Sequence, residues 1–186
     1  MTAVEPQDVV DFWRESGPEA WFTKDDAFDA TIRERFGATL DAASGGGLAE
    51  WAGDAEGTLA LILVLDQFTR NLRRGSADAF GEDERAVALT RRAIENGWVE
   101  DLLANERTRA VAVFALMPLM HSESIVDQEE CVRRMLRPDW EGNFKFAVVH
   151  RDVIERFGRF PHRNAVLGRR TTPAERAFLD GGGFGG

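Results

Sequence analysis

Apolar positions recur every three or four residues along much of the chain, and this spacing predicts amphipathic α-helices. Pro6 suits the first position of a helix, and the residues behind it form one apolar face: Val9, Val10, Phe12 and Trp13. A second helix is predicted from about Asp26, and Gly37 either ends or kinks it. The glycine-rich residues 44–47 then mark a clear break.

The most apolar stretch of the chain, residues 58–70, is predicted to be a central helix because it carries few polar side chains. A loop is predicted at residues 71–75. Asp83 is predicted to cap a helix that ends near Asn96. Asn105 is predicted to cap the next helix, which Pro118 ends or kinks.

The C-terminal third has the sharpest helix signals. Ser122 or Ser124 is predicted to begin a helix that reaches about Leu136, and Gly158 is predicted to end an amphipathic helix over residues 144–157. A loop rich in glycine, proline and arginine follows. Another helix then begins with a capping box and a proline at its first position, in the run Thr172-Pro173-Ala174-Glu175.

No convincing strand pattern occurs, so the predicted fold class is all-α, an irregular stack of antiparallel helices. One domain is predicted over residues 1–180. A flexible glycine-rich tail is predicted over residues 181–186, with Phe184 as its one packing residue.

Composition narrows the class of protein. The net charge of −9 over 186 residues disfavours nonspecific binding to nucleic acid or to an anionic membrane. The single cysteine, Cys131, excludes an internal disulfide framework and a cysteine-based metal cluster. No apolar run reaches the length of a bilayer span, and the first residues are acidic where a signal peptide would be basic. A cytoplasmic location is therefore expected, and no oligomeric state is predicted.

Arginine is concentrated in one acid-free segment, residues 156–170. This segment contains Arg156, Arg159, Arg163, Arg169 and Arg170. Such a cluster binds an anion through paired N–H groups, or it pairs with the acidic N-terminal half of the chain. Both interpretations stay open from the sequence alone.

Two sets of polar residues are candidate sites. The first ends the most apolar helix, where Asp66 and Arg70 stand four residues apart and can form an ion pair; it comprises Asp66, Gln67, Arg70 and Asn71. The second contains every histidine of the chain and the arginine-rich loop, and its members are His121, Glu123, His150, Arg156, Arg159, His162, Arg163, Asn164 and Arg169. Ion pairs that brace helix ends and a buried core histidine are the structural alternatives.

These motifs resemble a bacterial family classed as domain of unknown function 924. The resemblance runs from Phe12-Trp13 to Thr172 and Glu175, and Thr69 stands where the family pattern often has proline. It implies an all-α protein with a tetratricopeptide-like arrangement of helices, and it implies no activity. The matching motifs are Asp66-Gln67-Phe68, Arg70-Asn71, Gly75, His121-Ser122-Glu123, Asp127-Gln128, His150, residues 156–164 and Gly168-Arg169.

The leading hypothesis is a polar pocket, lined by both sets, that binds a small anionic or zwitterionic molecule. His162, His121 and Glu123 would carry any acid/base chemistry, and the remaining residues of both sets would bind the ligand. A second hypothesis is a non-catalytic scaffold that binds a peptide, with some of the five tryptophans as anchors.

A third hypothesis is a metal-dependent enzyme. Three histidines and Glu123 form an acceptable ligand set for zinc or iron, but no characteristic spacing supports it. No metal and no cofactor are therefore predicted, and enzymatic and non-enzymatic interpretations both stay open.

Overall fold

The computed structural model of the chain describes residues 3–185, and the regular elements among them are all helices. The all-α prediction is confirmed. The chain divides into two compact units, a first unit of residues 1–74 and 78–118 and a second unit of residues 75–77 and 119–186. The single domain, the flexible tail (whose residue 186 lies outside the described residues) and the tetratricopeptide-like arrangement stay predictions.

Six α-helices lie wholly within the first unit. They are α1 (Pro6–Phe22), α2 (Asp26–Ser44), α3 (Ala55–Ile62), α4 (Thr69–Leu72), α5 (Asp83–Glu95) and α6 (Trp98–Ala104). A π-helical segment, Leu63–Phe68, joins α3 to α4, and two 3₁₀-helices lie at Ala49–Gly53 and Arg109–Ala115. A third 3₁₀-helix is formed by Ala77–Phe80.

The remaining helices follow in the order α7 (Met117–His121), α8 (Ile125–Met135), α9 (Glu141–Phe157) and α10 (Pro173–Asp180). The chain passes from the first unit to the second within α7. Two short 3₁₀-helices, Pro138–Trp140 and Pro161–Arg163, complete the second unit.

The core of the first unit follows the predicted apolar pattern. The apolar face of α1 is buried as predicted, and the stretch from Leu59 to Leu65 is buried throughout. Aromatic rings pack closely here, since Trp13 lies 5.7 Å from Phe68 and 5.4 Å from Phe114 between ring centroids. Such pairs stabilise a core beyond the area that they bury.

The predictions made for Gly37 and for Pro118 are wrong in detail. Helix α2 continues through Gly37 to Ser44, because the burial of Phe36 and Leu40 outweighs the modest helix penalty of glycine. Pro118 does not end a helix but lies in the first turn of α7, where its missing N–H has no helical partner to lose. The run after Asn105 is a 3₁₀-helix, and α6 was not predicted.

The helix ends of the second unit agree with prediction. Ser124 is the N-cap residue of α8, and Gly158 ends α9 with a φ of 69°. Thr172 and Glu175 form the predicted capping box of α10. Helices α8 and α9 pack against each other, and a small core of Val153, Ile154 and Phe160 is covered by Phe157, Phe178 and Phe184.

Two glycines within helices give a matched test of packing in the first unit. A Cβ at Gly57 would overlap the backbone carbonyl of Trp51, whereas a Cβ at Gly37 meets only the Arg33 side chain at 4.0 Å. We expect Gly57→Ala to lower the free energy of unfolding by about 1–3 kcal/mol through overpacking. We expect Gly37→Ala to raise it by about 0.5–1 kcal/mol. Urea denaturation measures both, and equal effects of the same sign would contradict the close approach of Gly57 to Trp51.

Candidate functional site

The polar set of the first unit is a network of paired side chains. Arg70 Nη1 lies 2.9 Å from Asp66 Oδ1, which confirms that these two residues can pair. Its Nη2 lies 2.9 Å from Asp83 Oδ1 at the start of α5, and Gln67 Nε2 donates to Asp66 Oδ2 at 2.6 Å. Asp66 itself is fully buried. The network therefore joins the π-helical segment to α5.

Asp29 on α2 is a second centre of this network, and sequence reasoning missed it. Asn71 Nδ2 donates to Asp29 Oδ1 at 2.7 Å, and Arg74 Nε donates to Asp29 Oδ2 at 3.0 Å. Burial alone would raise the pKa of Asp29, but these two hydrogen bonds outweigh it and lower the pKa. The contacts of this set are those of structural bracing between α2 and the segment that follows the π-helix.

The second unit brings all three histidines of the chain together. We call His121, His150, His162, Phe160 and Phe184 the histidine cluster. Between ring centroids, His150 lies 6.4 Å from His121 and 5.6 Å from Phe160, and His162 lies 5.5 Å from Phe160. Phe184 lies 4.3 Å from His150 and 5.3 Å from His162. His150 and His162 thus share Phe160 and Phe184 as aromatic neighbours, and His121 adjoins them through His150.

His150 lies on α9 and is buried. Its Nδ1 is 2.8 Å from the carbonyl oxygen of Phe146, so Nδ1 carries the proton and Nε2 is the acceptor. Burial lowers the pKa of His150 to about 4, and the positive charges of His121, Arg163 and His162 act in the same direction. The ring is therefore neutral at pH 7.

Glu123 holds the loop that contains Phe160. Its Oε2 accepts from Arg169 Nη1 at 2.6 Å, and its Oε1 accepts from Arg169 Nη2 at 2.9 Å and from the Phe160 N–H at 2.7 Å. Burial alone would raise the pKa of Glu123, but the bonds from Arg169 and Phe160 lower it. With both oxygens bonded, Glu123 suits a positioning role better than the predicted acid/base role.

Arg169 and Arg159 make two-point ion pairs with carboxylates of the same unit. Arg169 also donates to Asn164 Oδ1 at 3.0 Å and to the Phe160 carbonyl at 3.1 Å. Arg159 pairs with Glu175, with Nε to Oε1 at 2.6 Å and Nη2 to Oε2 at 3.0 Å. A ligand anion would compete with these carboxylates, so the geometry does not favour the predicted ligand-binding role of either arginine.

The other arginines of the segment differ in their surroundings. The Arg156 guanidinium lies over the rings of Phe157 and Phe178, at 4.7 and 5.5 Å from their centroids. Arg163 is buried, and its guanidinium carbon lies 4.6 Å from the Phe160 centroid. Arg163 Nη2 donates to the His121 carbonyl at 3.0 Å. Arg163 therefore supplies positive charge directly beside the histidine cluster.

Gln128 and Asp127 hold the turn that carries His121. Gln128 Nε2 lies within 3.2 Å of the carbonyl oxygens of Leu119, Met120 and Ser122. Asp127 Oδ2 accepts from Ser122 Oγ at 2.7 Å. The Asp-Gln pair was noted in the sequence as a motif, but this role in positioning the turn was not predicted.

Residues 3–185 contain no group of three or more His, Cys, Asp or Glu side chains arranged to hold a metal ion. This geometry gives the metal-dependent hypothesis no support.

Cys131 is buried, and burial raises the pKa of its thiol to about 12, so it is a poor nucleophile. Within the same residues, no helix combines the length and the apolar character that a bilayer crossing requires.

The described residues form an all-α protein whose histidines gather beside a buried arginine. The chain belongs to a family of bacterial proteins of unknown function, DUF924, whose family model matches residues 9–183. It is similar to the solved structure of a protein of unknown function from Agrobacterium tumefaciens, with 41% sequence identity and a TM-score of 0.87. That similarity covers 95% of this chain and 97% of the other. No curated protein matches the chain.

The Arg159–Glu175 pair predicts an acid-dependent loss of stability. Hydrogen bonding from Arg159 lowers the pKa of Glu175 from its usual 4.5 to about 2. Because the folded state favours the ionised carboxylate, this contribution is complete above pH 4.5 and is lost as the pH falls toward 2. We expect Glu175→Gln to lower the free energy of unfolding by about 2 kcal/mol at pH 7.

The difference in the free energy of unfolding between wild type and Glu175→Gln should become smaller as the pH falls from 4.5 toward 2. Urea denaturation at each pH measures it. Glu155→Gln, at an exposed position on α9, is the matched control and should change stability little. A constant difference between wild type and Glu175→Gln at all pH values would contradict the linkage.

Proposed function

We propose that the second unit binds a small anionic or zwitterionic molecule at the histidine cluster. The observation that carries this proposal is the packing of His150 and His162 against Phe160, with the buried guanidinium of Arg163 4.6 Å from the same ring and His121 6.4 Å from His150. Fixed positive charge next to acceptor and donor atoms is the chemistry that recognises carboxylates and phosphates.

Charge supports an anion at this place. A guanidinium group away from bulk water attracts an anion more strongly than an exposed one, because water screens it less. His150 is neutral at pH 7, since its pKa is about 4, and it offers Nε2 as a hydrogen-bond acceptor. An anionic group near Arg163 and an ammonium or hydroxyl group near His150 would suit a zwitterion or a hydroxylated anion.

An acid/base role for His162 and His121 is the finer part of this proposal. Both side chains are half-buried, so each can exchange protons with solvent while it faces the cluster. Glu123 would act through Phe160 as a positioning residue. The proposed setting is the cytoplasm, in keeping with the single cysteine of the chain, Cys131, and the net charge of −9.

Titration with inorganic phosphate, succinate and glycine tests the binding proposal. A ligand at about one hundred times its Kd should raise the melting temperature by roughly 5 °C or more. Arg163→Lys should weaken binding about tenfold, because lysine cannot present two parallel N–H groups. Isothermal titration calorimetry measures the affinities.

Arg156→Lys is the matched control, because Arg156 lies over Phe157 and Phe178, and it should bind as wild type does. His162→Asn provides a second variant in case Arg163→Lys disturbs folding, and it should also weaken binding. Saturable binding that neither Arg163→Lys nor His162→Asn affects would place the ligand elsewhere, and no saturable binding of any probe would reject the proposal.

A second candidate function, a scaffold that binds a peptide, is favoured by exposed apolar side chains of the second unit. Val126, Leu136 and Phe146 expose 68%, 69% and 61% of their surface. Apolar side chains of this kind mark a protein-binding surface where they form one contiguous patch. The tryptophans do not add to this reading as anchors, since three of them, Trp13, Trp51 and Trp140, are buried. The tetratricopeptide-like arrangement implied by the family resemblance belongs to this candidate.

A further inference from the structure

The C-terminal segment of the second unit turns back after α10 in a defined way. The Gly181 N–H donates to the Ala177 carbonyl at 3.1 Å, and the Gly183 N–H donates to the Phe178 carbonyl at 2.9 Å. Between them, Gly182 has a φ of 76°, a conformation that other residues rarely adopt. These features reverse the chain direction within three residues.

Gly183 allows the segment to lie directly against α10. A Cβ at this position would come within 2.5 Å of Phe178 Cε2 and 2.6 Å of the Phe178 carbonyl oxygen. Because a side chain does not fit there, Gly183 and the helix cap together decide where the next residue lies. The position of Phe184 is therefore built by the chain around it.

Phe184 lies over the histidine cluster. Its ring centroid is 4.3 Å from that of His150, 5.3 Å from that of His162 and 6.2 Å from that of Phe160. The side chain itself is half-buried. Phe184 thus covers one side of the rings of His150, His162 and Phe160, and it belongs to the glycine-rich segment that follows α10.

Such a cover can move without unfolding the unit. Residues 181–185 include four glycines and are held by helix-cap hydrogen bonds and by the ring contacts of a single aromatic side chain. A segment that is held by so few contacts opens far more often than the whole unit unfolds. The helices that carry His150 and His121 do not need to move when Phe184 leaves.

We propose that residues 181–185 form a lid, in which Phe184 covers His150 and His162 and must move away before a ligand reaches them. The inference rests on the proposed ligand site, and it adds the step that controls access to that site. A bound ligand would take the place of the Phe184 ring beside His150 and His162.

The accessibility of each histidine tests the lid without any ligand. Diethyl pyrocarbonate modifies neutral imidazole rings, and mass spectrometry of peptides gives a separate rate for each histidine. At pH 7.5 His150 is neutral because its pKa is about 4, so its rate reports access to the ring. We expect Phe184→Ala to raise the rates at His150 and His162 at least tenfold over wild type.

A second variant moves the lid and keeps its phenylalanine. Gly183→Ala should also raise both rates, because the added Cβ would collide with Phe178. Phe157→Ala is the matched control, since it removes the same side chain from the same small apolar core and leaves the segment 181–185 intact. It should leave both rates within about twofold of wild type.

Unchanged rates in Phe184→Ala would overturn the lid. Rates that rise as much in Phe157→Ala would also overturn it, because general loosening would then explain the exposure.

Titration with inorganic phosphate tests the lid and the proposed ligand site separately. If both proposals are right, Phe184→Ala binds phosphate at least threefold more tightly than wild type, because the lid no longer competes. Raised modification rates without any phosphate binding would support the cover and reject the proposed phosphate site.

Discussion

The ion pair between Glu123 and Arg169 is the interaction on which the histidine cluster depends. This pair holds the backbone of Phe160 on both sides, because Glu123 accepts from the Phe160 N–H and Arg169 donates to the Phe160 carbonyl, which also accepts from the Arg163 N–H. Burying two charges is costly unless further hydrogen bonds satisfy them, and here Asn164 provides another. With Phe160 fixed, the rings of His150 and His162 have a surface on which to pack.

Many helix ends could be predicted because their sequence signals are local. Contacts between residues far apart in the chain could not be predicted. The start of α8 at Ser124, the end of α9 at Gly158 and the capping box of α10 depend on neighbouring residues alone. The partners of the polar side chains lie far along the chain: Glu175 is 16 residues from Arg159, and Asp29 is 42 residues from Asn71. Periodicity indicates which face a residue occupies, but it does not identify the charge that faces it.

The segment Leu63–Phe68 is π-helical, a local departure from the α-helix that the sequence predicts. The sequence favours a central helix here, and the chain is helical, but the wider turn shifts the face that later residues present. Asp66 and Gln67 both lie buried, as do the apolar residues on either side of them. Their mutual hydrogen bond and the Asp66–Arg70 pair offset the loss of contact with water.

The same balance of burial and charge gives the histidine cluster its chemical character. Three protonated imidazoles beside Arg163 would repel one another, so burial and repulsion together keep His150 neutral. An anion bound beside Arg163 would reverse this repulsion and make protonation of a nearby histidine more favourable. In the proposed site, binding of an anion and uptake of a proton would therefore be thermodynamically linked, since each would favour the other. A cluster that only braced the fold would gain nothing from this linkage, whereas a site that binds an anion and transfers a proton would use it directly.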